Sequence, residues 1–151
     1  MDKLPDVVDL VWTADLSVGC TALDERNRQM FNALSNAEQR IASNDFEQLS
    51  RWLMHHFDEF ETLLELEEQL LTRADYPELP LHQQLHTQVR NAIRSMKLQV
   101  KECTSHTTLV VLVRNSCAHL SLWLMQHILD ADKLFFPYID TRYLRPAEQV
   151  Q

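Results

Sequence analysis

The sequence predicts an all-α protein, an antiparallel up-down-up-down four-helix bundle with an N-terminal arm. The 151 residues include a single glycine, and the five prolines lie outside four long segments of the chain. Apolar residues recur in these segments every three or four positions, which is the spacing of one helix face. Because the connectors between the segments are short, consecutive helices should run antiparallel and close into a bundle.

Breaks in the sequence set the ends of each predicted element. Gly19 ends the arm, and Asp45 is a good N-cap for the second helix. Pro77 and Pro80 end the second helix, since the residue before a proline disfavours the helical conformation, and Pro137 lies at the end of the fourth. The predicted elements are an arm over residues 1–20 and helices over residues 22–43, 46–73, 81–101 and 107–135.

Length and composition indicate one domain over residues 1–151 and exclude several classes of function. A single glycine cannot build a phosphate-binding loop or a dinucleotide-binding fingerprint. Lys and Arg number 14 against 22 Asp and Glu, which gives a net charge of −8. Because the chain is acidic and has no basic cluster, we expect no nucleic-acid partner and no binding to an anionic membrane.

The cysteines and the N-terminus predict a cytoplasmic protein. Three cysteines without a CxxC spacing argue against a disulfide framework and fit a reducing compartment. The first twelve residues are acidic and lack the apolar core of a signal peptide. The most apolar stretch, residues 107–113, is too short to cross a bilayer.

Histidines and carboxylates at helical spacing are the candidate metal-binding residues of this sequence. His82 and His86 lie one helical turn apart on one face and can bind the same metal ion. His127 and Asp132 are separated by about 140° on a straight helix, so they share a site only if it lies at the bundle axis. Glu67 lies on the apolar stripe of the second helix and should therefore point inward.

The chain resembles bacterial hemerythrins along nearly its whole length. Members of that family are four-helix bundles that hold two irons, bind O₂ reversibly and serve as O₂ carriers, stores or sensors. The resemblance therefore implies iron as the cofactor and O₂ or a related small molecule as the ligand. It rests on Trp12, on Val18-Gly19 before Leu23-Asp24, on Tyr76-Pro77, on the pair His82 and His86, and on Trp123-Leu124-Met125-Gln126-His127-Ile128 followed by Asp132.

The resemblance also implies the ligands of one iron. The three histidines of that iron match His82, His86 and His127, and the two carboxylates that bridge the irons match Glu67 and Asp132. Nitrogen and oxygen ligands of this kind suit Fe, Mn or Zn. We therefore expect one or two irons per chain, with Mn and Zn as the alternatives.

The second iron of the family would lack its usual histidines, because the matching positions hold Asn27 and Leu63. A leucine has no lone pair, and an asparagine offers only a neutral carbonyl oxygen. Helix phase places His56, Glu59 and His119 on the inward side, one to two turns from the first iron. These three residues should ligate a displaced second metal, form a hydrogen-bonded cluster, or lie exposed.

Three functions follow from these observations. The first is a hemerythrin-like protein that binds, stores or senses O₂ at a modified di-iron site, and we favour it because five ligand residues are present. The second is a non-haem metal oxidase or peroxidase-like enzyme. It ranks lower because the sequence indicates no separate general base and no substrate pocket. The third is a signalling module that has lost O₂ binding and acts through a protein partner.

Overall fold

The computed structural model describes residues 11–138, and this part of the chain contains helices and turns but no strand. The predicted all-α fold class is therefore confirmed. A short 3-10 turn at Ala14–Leu16 precedes the helices, and a π-helical segment at Ile128–Asp132 continues into the helical turns Lys133–Phe135 and Phe136–Tyr138. The longer helices are α1 (Thr21–Ser35), α2 (Ala37–Ser43), α3 (Phe46–Arg73), α4 (Leu79–Glu102) and α5 (His106–His127).

The helices differ from the predicted ones by one or two residues at several ends, and two of the predicted helices are interrupted. α4 begins two residues early and takes Pro80 into its first turn, where a missing N–H costs no helical hydrogen bond. The predicted helix over residues 22–43 divides at Asn36, whose N–H bonds the carbonyl of Ala33 as in a tight turn. The predicted helix over residues 107–135 changes to π-helical geometry after His127. By contrast, α3 has the predicted ends.

The arm is fixed to the start of α1 by one carboxylate. Asp24 accepts hydrogen bonds from the hydroxyl of Ser17 at 2.5 Å and from the N–H of Val18 at 2.8 Å. Gly19 follows with a φ of 78°, a conformation that glycine adopts without a steric cost. Residues 1–10 of the predicted arm lie outside the described residues.

Ion pairs between α3 and α4 show that these helices run antiparallel. Lys97 donates to Asp58 at 2.7 Å, and Arg90 donates to Glu68 at 2.8 Å. From Asp58 to Glu68 the chain of α3 ascends, while the partner residues on α4 descend from Lys97 to Arg90, so the two helices are antiparallel. α1 and α5 complete the bundle, and Arg114 on α5 donates to Glu38 on α2 at 2.6 Å.

Aromatic and leucine side chains fill one core between the helices. Trp12 of the arm packs edge-on against Phe31, with ring centroids 6.0 Å apart. Such burial is the dominant favourable contribution to folding. The largest fully buried side chains are Phe31, Phe57, Phe60, Phe135, Leu23, Leu34, Leu49, Leu53, Leu64, Leu71, Ile93 and Leu109.

The stretch His106–Phe135 meets the length and composition criteria of a membrane-crossing helix, with a mean hydropathy of 1.3. The sequence predicted a shorter apolar stretch, over residues 107–113. A core helix of a bundle meets the same criteria. In this stretch, the side chains of Leu109, Val113 and Leu120 are buried in the core.

Truncating the core should cost far more stability than truncating the surface. We expect Phe57→Ala, at a fully buried position, to lower the free energy of unfolding by about 3–5 kcal/mol. The control Leu98→Ala removes a side chain that is 57% exposed and should change it by less than about 0.5 kcal/mol. Urea denaturation followed by circular dichroism measures both, and equal effects would contradict the packing described here.

Candidate metal centre

Five buried side chains that can ligate a metal meet between α3, α4 and the C-terminal end of α5. α4 contributes His82 and His86 from its first two turns, α3 contributes Glu67, and the last helix contributes His127 and Asp132. These side chains are only 0% to 6% exposed. The structure thus brings together the five residues that the sequence analysis grouped in one site.

Three imidazoles converge on one carboxylate oxygen. Oε1 of Glu67 contacts Nε2 of His82 and lies 3.2 Å from Nε2 of both His86 and His127. The Nε2 atoms of His86 and His127 are 3.0 Å apart. Oδ1 of Asp132 lies 2.8 Å from Nε2 of His127 and 3.3 Å from Nε2 of His82. Ligand atoms from Glu67 and the three histidines all lie within 4.8 Å of one another.

The π-helical segment Ile128–Asp132 explains how Asp132 reaches the site. On a straight α-helix, Asp132 would point about 140° away from His127. A π-helical turn closes over five residues, so it returns a side chain five positions later to nearly the same face. The wider turn therefore lets both residues approach one point from a single helix.

An ion pair outside the centre orients His86. Its Nδ1 lies 3.0 Å from Oε1 of Glu68, and both oxygens of Glu68 accept from Arg90, at 2.8 and 2.9 Å. Because an ionised carboxylate only accepts hydrogen bonds, Nδ1 of His86 carries the proton. Its Nε2 then presents a lone pair to the centre, which is the form that ligates a metal.

Aromatic side chains surround the centre. Trp123 stacks on His127 with ring centroids 4.3 Å apart and an angle of 15° between the planes. Tyr76 and Phe135 meet His82 edge-on, at 6.4 and 5.7 Å. These rings fix the imidazoles in place and surround the polar groups with apolar surface.

The buried carboxylates hold protons on two of the histidines. Burial lowers the pKa of His82, but Asp132 and Glu67 outweigh burial and raise the pKa to about 9. The same balance raises the pKa of His127 to about 10. Burial acts to raise the pKa of Glu67, yet His127 and His82 hold that pKa well below its usual range. Burial and the nearby Glu67 raise the pKa of Asp132.

These residues fit a metal cation better than a hydrogen-bonded cluster. Neither buried oxygen of Asp132 accepts a well-formed hydrogen bond from the described part of the chain. Oε1 of Glu67 is approached by three ring nitrogens but offers only about two lone pairs. Ligand atoms of an octahedral ion with bonds of about 2.1 Å lie about 3 Å apart. The separations of 3.0 and 3.2 Å between ligand atoms agree with that value.

Comparison with known families identifies the family of the chain. The family model described as the hemerythrin HHE cation-binding domain matches residues 21–139. This chain belongs to the hemerythrin family. None of the curated proteins matches it. The match covers the five helices, so the centre on His82, His86, His127, Glu67 and Asp132 lies within the cation-binding domain.

Two positions separate this hemerythrin from the pattern that the resemblance implies. Asn27 is 1% exposed, and neither polar atom of its side chain has a hydrogen-bond partner in the described structure. Leu63 is buried as well. The interior that would hold a second iron is thus lined by a neutral amide and an aliphatic side chain.

The inward placement of Glu59 and His119 is wrong. Both side chains are exposed. Glu59 and His119 each precede a ligand, Glu67 or His127, by eight residues, which turns a side chain about 80° around the helix. The inward positions seven residues before those ligands are taken by Phe60 and Leu120, both fully buried.

His56 is half-buried and lies at the bundle surface. Its Nδ1 lies 2.8 Å from the carbonyl oxygen of Trp52, and its ring packs on Trp52 with centroids 4.6 Å apart. Of the three outcomes expected for His56, Glu59 and His119, exposure describes Glu59 and His119. A displaced metal shared by all three residues has no support in this geometry.

The orienting pair Glu68 and Arg90 was not predicted from the sequence. A signal was present, because Arg90 lies four residues after His86 and so shares its face of α4. Glu68 belongs to an acidic run of α3 whose other members are mostly exposed, and only the packing of α3 on α4 distinguishes it.

Removing the charge that orients His86 should weaken metal binding. We expect Glu68→Gln to lower the affinity for Fe²⁺ or Zn²⁺ by about 10-fold or more, because partners of ligating histidines typically contribute 10- to 100-fold. Glu65→Gln, an exposed change on the same helix, is the matched control and should have no effect. Competition against a chelator measures the affinities, and equal values for the two variants would contradict the role of Glu68.

Metal binding should release protons. The pKa values of about 9 and 10 mean that His82 and His127 are protonated at pH 7.5 in the metal-free protein, and a cation must displace those protons. We expect release of about two protons per metal ion and an affinity that rises as pH increases from 6 to 9. Calorimetry in buffers of different ionisation enthalpy counts the protons. Binding with no proton release would contradict these protonation states.

Proposed function

We propose that this protein is a non-haem iron protein that binds O₂, or a related small molecule such as NO, for storage or sensing. The observation that supports it most is the convergence of three imidazoles and two carboxylates on one buried point. Nitrogen and oxygen ligands of this kind suit iron, and membership of the hemerythrin family favours iron over Mn or Zn.

We further propose that the buried centre holds one iron rather than two. The three histidines provide a complete nitrogen set for one ion, and Glu67 and Asp132 add oxygen ligands. On the side of α1 and α3, Asn27 and Leu63 offer at most one weak neutral ligand. An iron with five protein ligands would retain one coordination position for a small ligand.

The chain's own residues would hold that ligand and restrict its size. Trp123, Tyr76 and Phe135 surround the histidines and keep bulk water away from them. Within the described residues, the ionisable side chains at the centre are the ligands, their orienting partners and Tyr76, and burial raises the pKa of the Tyr76 phenol, so it stays protonated. Since no further group is placed to act as a general base, ligand binding is better supported than turnover of a substrate.

The cysteine thiols favour a reducing compartment, which agrees with this proposal. Cys103 and Cys117 form no disulfide bond within the described residues, and burial raises the pKa of the Cys117 thiol to about 12, so it stays protonated and unreactive. We place the protein in the cytoplasm, where reducing conditions would keep the iron ferrous. A sensing role would require a partner protein that recognises the ligand-bound state.

Anaerobic reconstitution with Fe²⁺ tests the proposal. We expect one tightly held iron per chain after desalting, and an absorption band that appears when O₂ or NO is added. His86→Ala should lose the iron and the band, whereas His106→Ala, an exposed histidine outside the centre, should keep both. Equal iron content in the two variants would refute the ligand assignment. A preference for Zn²⁺ with no response to either gas would refute the proposed role.

A further inference from the structure

Asn27 on α1 has a buried amide that the packing leaves without a partner. The residue is 1% exposed, and neither Nδ2 nor Oδ1 makes a hydrogen bond within residues 11–138. Water hydrogen-bonds this amide in the unfolded chain, so burying it alone destabilises the folded protein. A buried polar group of this kind calls for an explanation, and a bound molecule provides one.

Two contacts fix the register of α1 and α2 against the last helix. Arg114 on α5 donates to Glu38 on α2, and Lys133 lines a small surface pocket together with Gly19. Nineteen residues separate Arg114 from Lys133, and nineteen separate Gly19 from Glu38. The two stretches therefore run antiparallel and keep an even register along their length.

This register places Asn27 at the level of the buried centre. Asn27 follows Gly19 by eight residues, so it lies level with the residue eight positions before Lys133. That residue is only two positions from His127, which corresponds to about 3 Å along the helix axis.

The direction of α3 follows from its contacts with α5. Phe60 packs on Trp123 with ring centroids 5.9 Å apart, and Glu67 lies 3.2 Å from His127. The two helices thus ascend together. Because α1 is antiparallel to α5, it is antiparallel to α3 as well.

A groove of about 350 Å³ between α1 and α3 gives the same level for Asn27. Met30 on α1 and Leu63 on α3 both line this groove. In antiparallel helices, one turn back from Met30 and one turn forward from Leu63 lead in the same direction, and they reach Asn27 and Glu67. Two separate sets of contacts therefore put Asn27 level with the metal ligands.

The side chain of Asn27 faces the interior of the bundle. Helical spacing puts Leu23, Asn27, Met30 and Leu34 on one face of α1, and all four are buried. An inward amide at the level of the centre, beside the aliphatic Leu63, can donate to a small polar molecule held there.

We infer that Nδ2 of Asn27 donates a hydrogen bond to the small ligand, O₂ or NO, that occupies the free position of the iron. The inference rests on the proposed function. Such a ligand draws electron density from ferrous iron and becomes a better acceptor, so a donor fixed in a buried site stabilises it. Asn27 thereby raises the affinity for ligands that accept a hydrogen bond, without ligating the metal.

Infrared spectroscopy of the iron-loaded protein with NO tests this inference. A hydrogen bond to the oxygen of NO lowers the N–O stretching frequency and makes it sensitive to D₂O. We expect that sensitivity in the wild type, and a higher frequency without it in Asn27→Leu and Asn27→Ala. NO should leave both variants at least about ten-fold faster, since hydrogen bonds to charged groups are the stronger ones. Asn32→Leu, an exposed change on the same helix, is the matched control and should behave as the wild type.

The outcomes separate this inference from the proposed function. Both Asn27 variants should retain one iron per chain, and loss of the iron would overturn the inference because it would make Asn27 a ligand. An equal N–O frequency and an equal release rate in the wild type and in both variants would also overturn it, and would leave the proposed function intact. A wild type that holds iron and responds to neither gas would refute both.

The metal-free protein provides a readout that does not depend on iron. Asn27→Leu replaces an unpartnered amide with an aliphatic side chain of the same branching, so the urea midpoint should rise. Asn32→Leu should leave the midpoint unchanged. A midpoint lowered in Asn27→Leu alone would show that the amide has a partner in the folded protein, and would overturn the inference.

Discussion

Five ionisable side chains share one buried point, and the rest of the structure depends on how their charges are balanced. An isolated buried ion costs several kcal/mol, so each of these groups needs an opposite charge nearby. In the metal-free protein, protons on His82 and His127 balance Glu67 and Asp132. A divalent cation supplies the same positive charge at the point where the ligand atoms meet. Because only the folded chain assembles this set, the cation stabilises the native state by mass action.

This constraint accounts for features that a simple helical bundle would not need. The last helix widens to π-helical geometry at Ile128–Asp132, which exchanges ideal hydrogen bonding for a second ligand from the same helix. Arg90 neutralises Glu68, so Glu68 can orient His86 without adding net charge beside the centre. The stacked Trp123 excludes water without offering a competing ligand. Each of these features has a small cost in folding free energy and fixes the position of one side chain of the centre.

The sequence predicted the helices from a local pattern, and it predicted the five side chains that meet at the centre through the resemblance to hemerythrins. Apolar spacing and the Asp45 cap located α3, and the pair His82 and His86 identified the site. The predicted inward orientation was wrong for Glu59 and His119. Each lies eight residues before a residue of the centre, and eight residues turn a side chain about 80° around the helix, so both side chains lie at the surface. The π-helical segment and the role of Glu68 depend on contacts between helices, for which one sequence has no local signal.

We propose that the buried centre holds a single metal ion, because Asn27 and Leu63 stand where the resemblance to hemerythrins implies the ligands of a second one. X-ray absorption spectroscopy on iron-replete, desalted protein tests this most directly. We expect a shell of nitrogen and oxygen neighbours at about 2.1 Å from the iron, with outer scattering from imidazole rings and no iron–iron distance. An iron–iron distance of about 3–4 Å, as in paired-metal sites, would contradict it.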